Sequence, residues 1–440
     1  AENTMNKKLI TLAVAAAMAA PAAAFAEATL YGTLHQSIDY IDQDDVSEAV
    51  TINGQDFVFE GDGFTGWTVS RADGAILNPF SVTIYDSNGD VVDLGETELG
   101  EDVVDALSEL RARLQLNNGP VGPSNRVGVK GSEDLGGGLK AIYQVEFGVR
   151  LADGDYSAAN GDRGSVSMRN SFVGLAGGWG TFLVGRHDTP LKISTGKLDM
   201  FADTIADYNG PLGFNDVRAD NAIAYISPSF SGFQFAGAVH AGGGATVQGD
   251  YNANSDSLAE AWSVAGIYSN GPWYASVAYE VLGNDMSIDS LNDPVTINGI
   301  PTDLTDDFTK WRIGLGILDW NGFSLTGIYE DRSDTGFINN QDSSSWQVQA
   351  GYAFGNNAIK AAYGSLDRDL DLSDTFGDVG GLGDLGDAIE DAIDGDLNQW
   401  TIAFDHNFSK RTKAYALYTN VDDDSAPSWD SFSLGIVHKF

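Results

Sequence analysis

Apolar and polar side chains alternate along most of this chain. In the last segment Phe432, Leu434, Ile436, His438 and Phe440 share one phase, and small or polar residues fill most of the other. A period of two is that of a strand with two unlike faces. The first such segment covers residues 28–41. After a long insertion come 125–131, 138–150, 165–176, 179–187, 220–227, 232–241, 260–269 and 273–282. They continue at 309–319, 323–331, 345–354, 358–366, 397–406, 411–420 and 429–440.

Two kinds of connection separate these strands. Short ones are built on Gly177-Gly178, Asn270-Gly271-Pro272, Asn321-Gly322 and Gly355-Asn356-Asn357. Long ones are rich in aspartate, as at 283–307 and 367–396. About sixteen antiparallel strands with alternately short and long connections predict an all-β transmembrane barrel, wide enough for a water-filled lumen. A soluble sandwich would show more continuous apolar strands and less disparity between connections. The external insertion 42–124 is long enough to fold as a cap. Within it Ser81–Tyr85 reads as half of a hairpin turning at Asn88-Gly89. An amphipathic helix is expected over 101–115, with Val103, Val104, Leu107, Leu110 and Leu114 on one side.

Residues 1–26 read as a leader. Lys7 and Lys8 precede an apolar run, and Ala24-Phe25-Ala26 is a small-x-small cleavage site, so one barrel over 27–440 is expected. No apolar run beyond the leader reaches the length of a membrane helix. The absence of cysteine removes disulfides, thiolate metal sites and a cysteine nucleophile. With 63 acidic and 24 basic residues the net charge is −39, so nucleic acid is not an expected partner. The acidic loops read as solvated, with weak divalent-cation binding as the sharper alternative. Gly61-Asp62-Gly63-Phe64-Thr65-Gly66 matches a dinucleotide glycine pattern without a following helix signal. Asp86-Ser87-Asn88-Gly89-Asp90 begins like a calcium loop but continues with Val91 where glycine is needed. The five histidines show no metal spacing. No cofactor is implied.

Several segments resemble the trimeric general porins of Gram-negative outer membranes. These are Leu30-Tyr31-Gly32-Thr33-Leu34, the run from Arg126 to Gly136, the run from Arg169 to Leu175, Gly185-Arg186, and Arg218 to Tyr225 with Ser227-Pro228. The terminal Phe440 resembles the signal read by the barrel-assembly machinery. The resemblance implies a homotrimer in the cell outer membrane, bordered by lipid and lipopolysaccharide. It also implies passive diffusion of small hydrophilic solutes and an inward-folded third loop. The long first insertion departs from the commoner members of that family.

The third long connection, 188–217, is the expected constriction. Leu198-Asp199-Met200-Phe201-Ala202-Asp203 resembles the family's acidic loop tip, and Asp207 follows. If the turn is helical, Asp199 and Asp203 share one face. The resemblance puts Arg126, Arg169 and Arg218 on the lumenal wall, with Arg186 joining them if alternation holds from Arg169. For Arg126 alternation gives the same answer: Val127 and Val129 go to lipid, so Arg126, Gly128 and Lys130 go to water. Opposed carboxylates and guanidiniums would set a transverse field for dipolar solutes, and acidic loops a mild cation preference. The alternatives are a substrate-selective channel, a barrel hydrolase using His35 and Asp39, or an adhesin using the first insertion.

Overall fold

The computed structural model describes residues 28–43, 125–149, 166–241, 257–283, 306–337, 340–371, 394–425 and 428–440, with short pieces in the intervening loops. The leader and the helix expected over 101–115 lie outside the described residues, as does most of the acidic loops.

Sixteen strands form one closed antiparallel barrel. They are β1 (Thr29–Gln43), β2 (Arg126–Gly136), β3 (Leu139–Val149), β4 (Val166–Met168 and Ser171–Gly177), β5 (Gly180–Asp188) and β6 (Arg218–Ile226). Then come β7 (Phe233–His240), β8 (Ala261–Asn270), β9 (Trp273–Leu282), β10 (Phe308–Trp320) and β11 (Phe323–Ser333). The circuit ends with β12 (Gln341–Phe354), β13 (Asn357–Leu370), β14 (Gly395–Asn407), β15 (Thr412–Asp423) and β16 (Trp429–Lys439). One short helix, α1 (Pro190–Thr195), follows β5.

The seam is made by β1, which divides its pairing between two partners. Its first part pairs with β2, from Thr29↔Lys130 to Thr33↔Arg126. The rest pairs with β16, from Thr33↔Lys439 to Gln43↔Trp429. The backbone of Phe440 finishes the seam: Gly32 N donates to its carbonyl and its own N–H donates to Gly32 O, both at 3.1 Å. The Phe440 ring lies over Gly32, where a Cβ would come within 2.5 Å of it, so a side chain there would displace the ring. In the first insertion Thr83–Tyr85 pairs with Val91–Asp93, the expected hairpin. Three further strand pieces, Val46–Ile52, Gln55–Gly61 and Trp67–Arg71, pair in order there and were not foreseen.

Burial is inverted relative to a water-soluble sheet. On β10 Ile313 and Leu315 are 39% and 59% exposed, while Lys310 and Arg312 are 1% and 0% exposed. An apolar outer face and a polar interior suit a hydrocarbon surround. The outer face also carries a continuous aromatic belt. Tyr279 stands opposite Trp311, Tyr329 opposite Trp346, Tyr363 opposite Trp400, Tyr418 opposite Phe432, and Phe432 opposite Tyr40. Tilted ring contacts link Trp262–Tyr279, Trp311–Tyr329, Trp346–Tyr363 and Trp400–Tyr418. Such belts mark the membrane–water interface. The register carries it no further around: Trp262 is opposite Val239, Val239 opposite Ile223, Ile223 opposite Val184 and Val184 opposite Val173.

This inverted pattern predicts the effect of Leu315→Arg. Equilibrium folding into lipid vesicles should lose roughly 2–4 kcal/mol. A loss within ~0.5 kcal/mol, usual for a solvated surface site, would contradict a lipid-facing Leu315.

Candidate functional site

The connection from β5 to β6 folds into the barrel. Helix α1 opens it, with Pro190 in its first turn and the Thr189 side chain accepting a hydrogen bond from Lys192 N. The apolar residues of this loop are buried to a degree unusual for a connection. Leu191, Leu198, Phe201 and Leu212 are all fully buried. Leu198, Tyr208, Leu212 and Phe214 pack with Tyr274, Ile328, Leu366, Leu397 and Val421 of the wall. Phe201, Ile205 and Ala206 pack with Ala362, Ala403, Tyr415, Leu417 and Val437. The loop therefore lies along the inner wall from β9 to β16. The wall is recessed to receive it: a Cβ at Gly314 would come within 2.5 Å of Leu198 Cδ1, and one at Gly364 within 2.5 Å of Leu212 Cδ1.

Hydrogen bonds fix the loop backbone to that wall. Tyr274 donates to Ser194 O at 2.7 Å, Thr326 to Leu198 O at 2.9 Å, Ser345 to Leu212 O at 2.6 Å and Lys360 to Met200 O at 2.9 Å. An ionic cluster holds the loop's return. Arg312 reaches Asp216 and Glu330, both at 2.6 Å, and Arg332 reaches Glu330 at 2.9 Å. Lys310 pairs with Glu280 at 2.6 Å and donates to Asn215 O at 3.1 Å. All these wall charges are nearly fully buried. Removing one partner from such a cluster costs about 3–5 kcal/mol, because the other is left uncompensated.

The opposite side of the loop faces the charges anticipated from sequence. Arg126 meets Asp203 across 3.1 Å, with their side chains 25% and 28% exposed. Arg169 pairs with Glu146 at 2.8 Å, Arg186 with Asp220 at 2.7 Å, and Arg218 with Asp188 at 2.9 Å. Arg218 and Glu146 are buried, at 8% and 7% exposure. Simple alternation does not account for Arg186, since Phe182 and Val184 of the same parity are exposed on the outer face. A register shift in β6 lies opposite it, between Gly185↔Ala222 and His187↔Ala219. There Asn221 adopts φ 51°, and Asp220 meets the guanidinium.

The three aspartates do not act alike. The helix ends at Thr195 and Asp203 has a left-handed φ of 63°, so the condition for a shared helical face of Asp199 and Asp203 is not met. Asp199 turns to the wall, accepting from Phe201 N at 2.8 Å and from Gln349 Nε2 at 3.2 Å. Asp203 turns to Arg126. Asp207 is 5% exposed and points into the loop, where Asp203 N and Asn209 N donate to it at 2.8 and 2.9 Å.

Sequence reasoning missed the acidic partners Glu146, Asp188 and Asp220. Glu146 had a signal: it is a lone carboxylate in the inward phase between Val145 and Phe147. Tyr31 also donates to Glu146, at 2.8 Å. His35 is buried with its Nε2 2.9 Å from the Tyr415 hydroxyl, and Asp39 accepts from Ser37 at 2.8 Å.

Burial pushes the Asp207 carboxyl up to about 6, against the backbone hydrogen bonds that favour its charged form. Burial, with the charge of Asp207, holds Asp199 well above the usual carboxylate range. Asp216 is also buried, but Arg312 holds it below that range. A raised carboxyl pKa means that the folded loop binds protons more tightly than the unfolded chain, so loop stability declines as pH rises through that window. The Asp216 contribution is lost only at lower pH, below the ordinary carboxylate value. Hydrogen exchange over 198–216, corrected for intrinsic rates, should show protection falling from pH about 4 to about 7. Asp199→Asn with Asp207→Asn should flatten that profile; an unchanged slope in the double variant would refute the assignment.

Comparison with known proteins gives the same architecture. Residues 109–426 match the family model described as Gram-negative porin. The major outer membrane protein P.IB of Neisseria meningitidis serogroup B is 26% identical over 427 residues, covering 93% of this chain and 91% of the relative. Outer membrane porin protein 32 of Delftia acidovorans is 27% identical over 381 residues, covering 84% and 91%. Among solved structures, the anion-selective porin from Comamonas acidovorans aligns with a TM-score of 0.54 at 18% identity, covering 94% of this chain and all of that one. Salmonella typhi OmpF, in its complex with daunomycin, aligns at 0.53 with 14% identity, covering 94% and 97%. With an inward loop inside a closed barrel, and a family match across most of its length, this chain belongs to the Gram-negative porins.

Proposed function

We propose that solutes cross this passive outer-membrane diffusion channel between the loop 188–217 and the wall that runs from β2 to β6. On this reading Asp203 faces Arg126, Arg169, Arg186 and Arg218 at the narrowest part. Asp199 and Asp207 shape the loop from behind. The observation that carries the reading is one-sided packing. Leu198, Phe201 and Leu212 are fully buried against the far wall, whereas Arg126, Arg169, Arg186, Asp203 and Asp220 keep 20–30% of their side-chain surface open. Small hydrophilic solutes with a dipole can align between such groups, while large apolar ones must displace ordered water. A channel is favoured over a hydrolase, because His35 is engaged by a tyrosine rather than by a nucleophile.

A mild cation preference belongs to the same reading. Each of the four wall arginines has a carboxylate within 3.1 Å, so the basic wall is locally compensated. The excess of 63 acidic over 24 basic residues then sets the field of the mouth. Lipid and lipopolysaccharide would border the outer apolar face, and the exposed Phe440 ring would be offered to the barrel-assembly machinery.

The break in the aromatic belt supports a homotrimer. From Val239 to Val173 the outer face carries aliphatic residues at positions where β8 to β16 and β1 carry an aromatic ring. That sector would meet neighbouring copies instead of lipid headgroups.

Two measurements test the ion preference and the subunit contact. Planar bilayers under a salt gradient should give a cation-signed reversal potential; an anion-signed one would overturn the preference. Nitroxides placed on Val173→Cys or Val348→Cys should report a shorter intersubunit distance at 173. A shorter distance at 348, or no dipolar coupling at either, would overturn the assigned contact.

A further inference from the structure

We infer that Asp207 is a positioning residue for the aperture: it folds the 203–209 tip so that Asp203 stands against Arg126, and that ion pair sets the width of the path. This rests on the proposed route between loop and wall, and adds what holds the loop's side of it.

The two sides of the Arg126–Asp203 contact are not equally rigid. Arg126 is paired through its backbone with Thr33 of β1 and Gly148 of β3, so the barrel fixes its origin. Asp203 sits in a tip of turns with φ 63°, a conformation that a residue with a Cβ adopts at a cost. Something must hold it there. Asp207 Oδ2 accepts from Asp203 N at 2.8 Å, and Oδ1 accepts from both nitrogens of Asn209 at 2.9 Å. The main chain around it is bonded as well, with Asp207 N donating to Thr204 O at 3.0 Å and Gly210 N to Asp207 O at 2.9 Å. Among the described residues no cation forms an ion pair with Asp207. Its carboxylate is committed to the backbone of the tip and is 5% exposed. Without it, Asp203 is free to leave the left-handed region, and its carboxylate then swings away from the guanidinium.

The test is single-channel conductance of the full chain in planar bilayers. About 1 M salt shortens the Debye length to ~3 Å, so width is read rather than charge. Asp203→Asn and Arg126→Gln should each raise unit conductance. Asp207→Ala should raise it by a comparable factor, and Asp207→Ala with Asp203→Asn no further than either alone, since both act on one contact. Asp207→Asn, which keeps a carbonyl acceptor, should fall between wild type and Asp207→Ala, and it carries the test if the alanine variant does not fold. Wild-type conductance in the Asp207 variants, or factors that multiply in the double variant, would overturn the positioning role alone. Unchanged conductance in both Asp203→Asn and Arg126→Gln would overturn the route itself.

Discussion

The structure depends on one constraint. A backbone N–H or C=O inside hydrocarbon finds no water, so every such group must be paired within the protein. A sheet meets that demand only by closing on itself. Closure is achieved here by β1, which pairs with β2 over its first residues and with β16 over the rest. Gly32 lets the last aromatic ring settle over the seam. Once the sheet is closed its two faces are fixed, one toward lipid and one around a column of water. The exposed Leu315 and the buried Arg312 are two results of the same closure.

A closed wall of this size would enclose a wide polar cavity. The loop 188–217 divides it. Its apolar side chains cover the wall from β9 to β16, and the wall answers with glycines at 314 and 364 and with a buried ionic cluster centred on Arg312 and Glu330. These charges are buried between loop and wall and hold a segment without regular structure in one place. On the opposite side Arg126, Arg169, Arg186, Asp203 and Asp220 stay partly open, while Arg218 and Glu146 are buried. On the proposed route, a fixed loop against a fixed wall would give an opening of defined size.

The strands were legible in the sequence because their signal is local. Alternation needs only neighbouring residues, and the segment read over 273–282 coincides with β9. Where alternation ran on mainly through polar residues it was lost. The strands β12 and β13 extend beyond their expected ends through Ser343, Ser344, Asp367 and Asp369. The four-residue spacing of Asp199 and Asp203 would give a shared face only in a helical turn, and φ at Asp203 is positive. The ionic cluster escaped notice for a different reason: Arg312 and Asp216 are 96 residues apart. Nothing local distinguishes a carboxylate that will be buried, such as Asp207, from one that will face the pore.

The absence of cysteine offers a direct test of the divided lumen, since any introduced thiol is the only one in the chain. Asn170→Cys, at the half-buried wall residue that accepts from Arg218 Nε at 2.9 Å, and Thr326→Cys behind the loop can be exposed to the same small, charged, membrane-impermeant thiol reagent. Modification at 170 with a fall in current is expected, and no modification at 326 in the folded protein. Equal modification at both positions would mean that the loop does not seal its side of the barrel, and the central claim would fail.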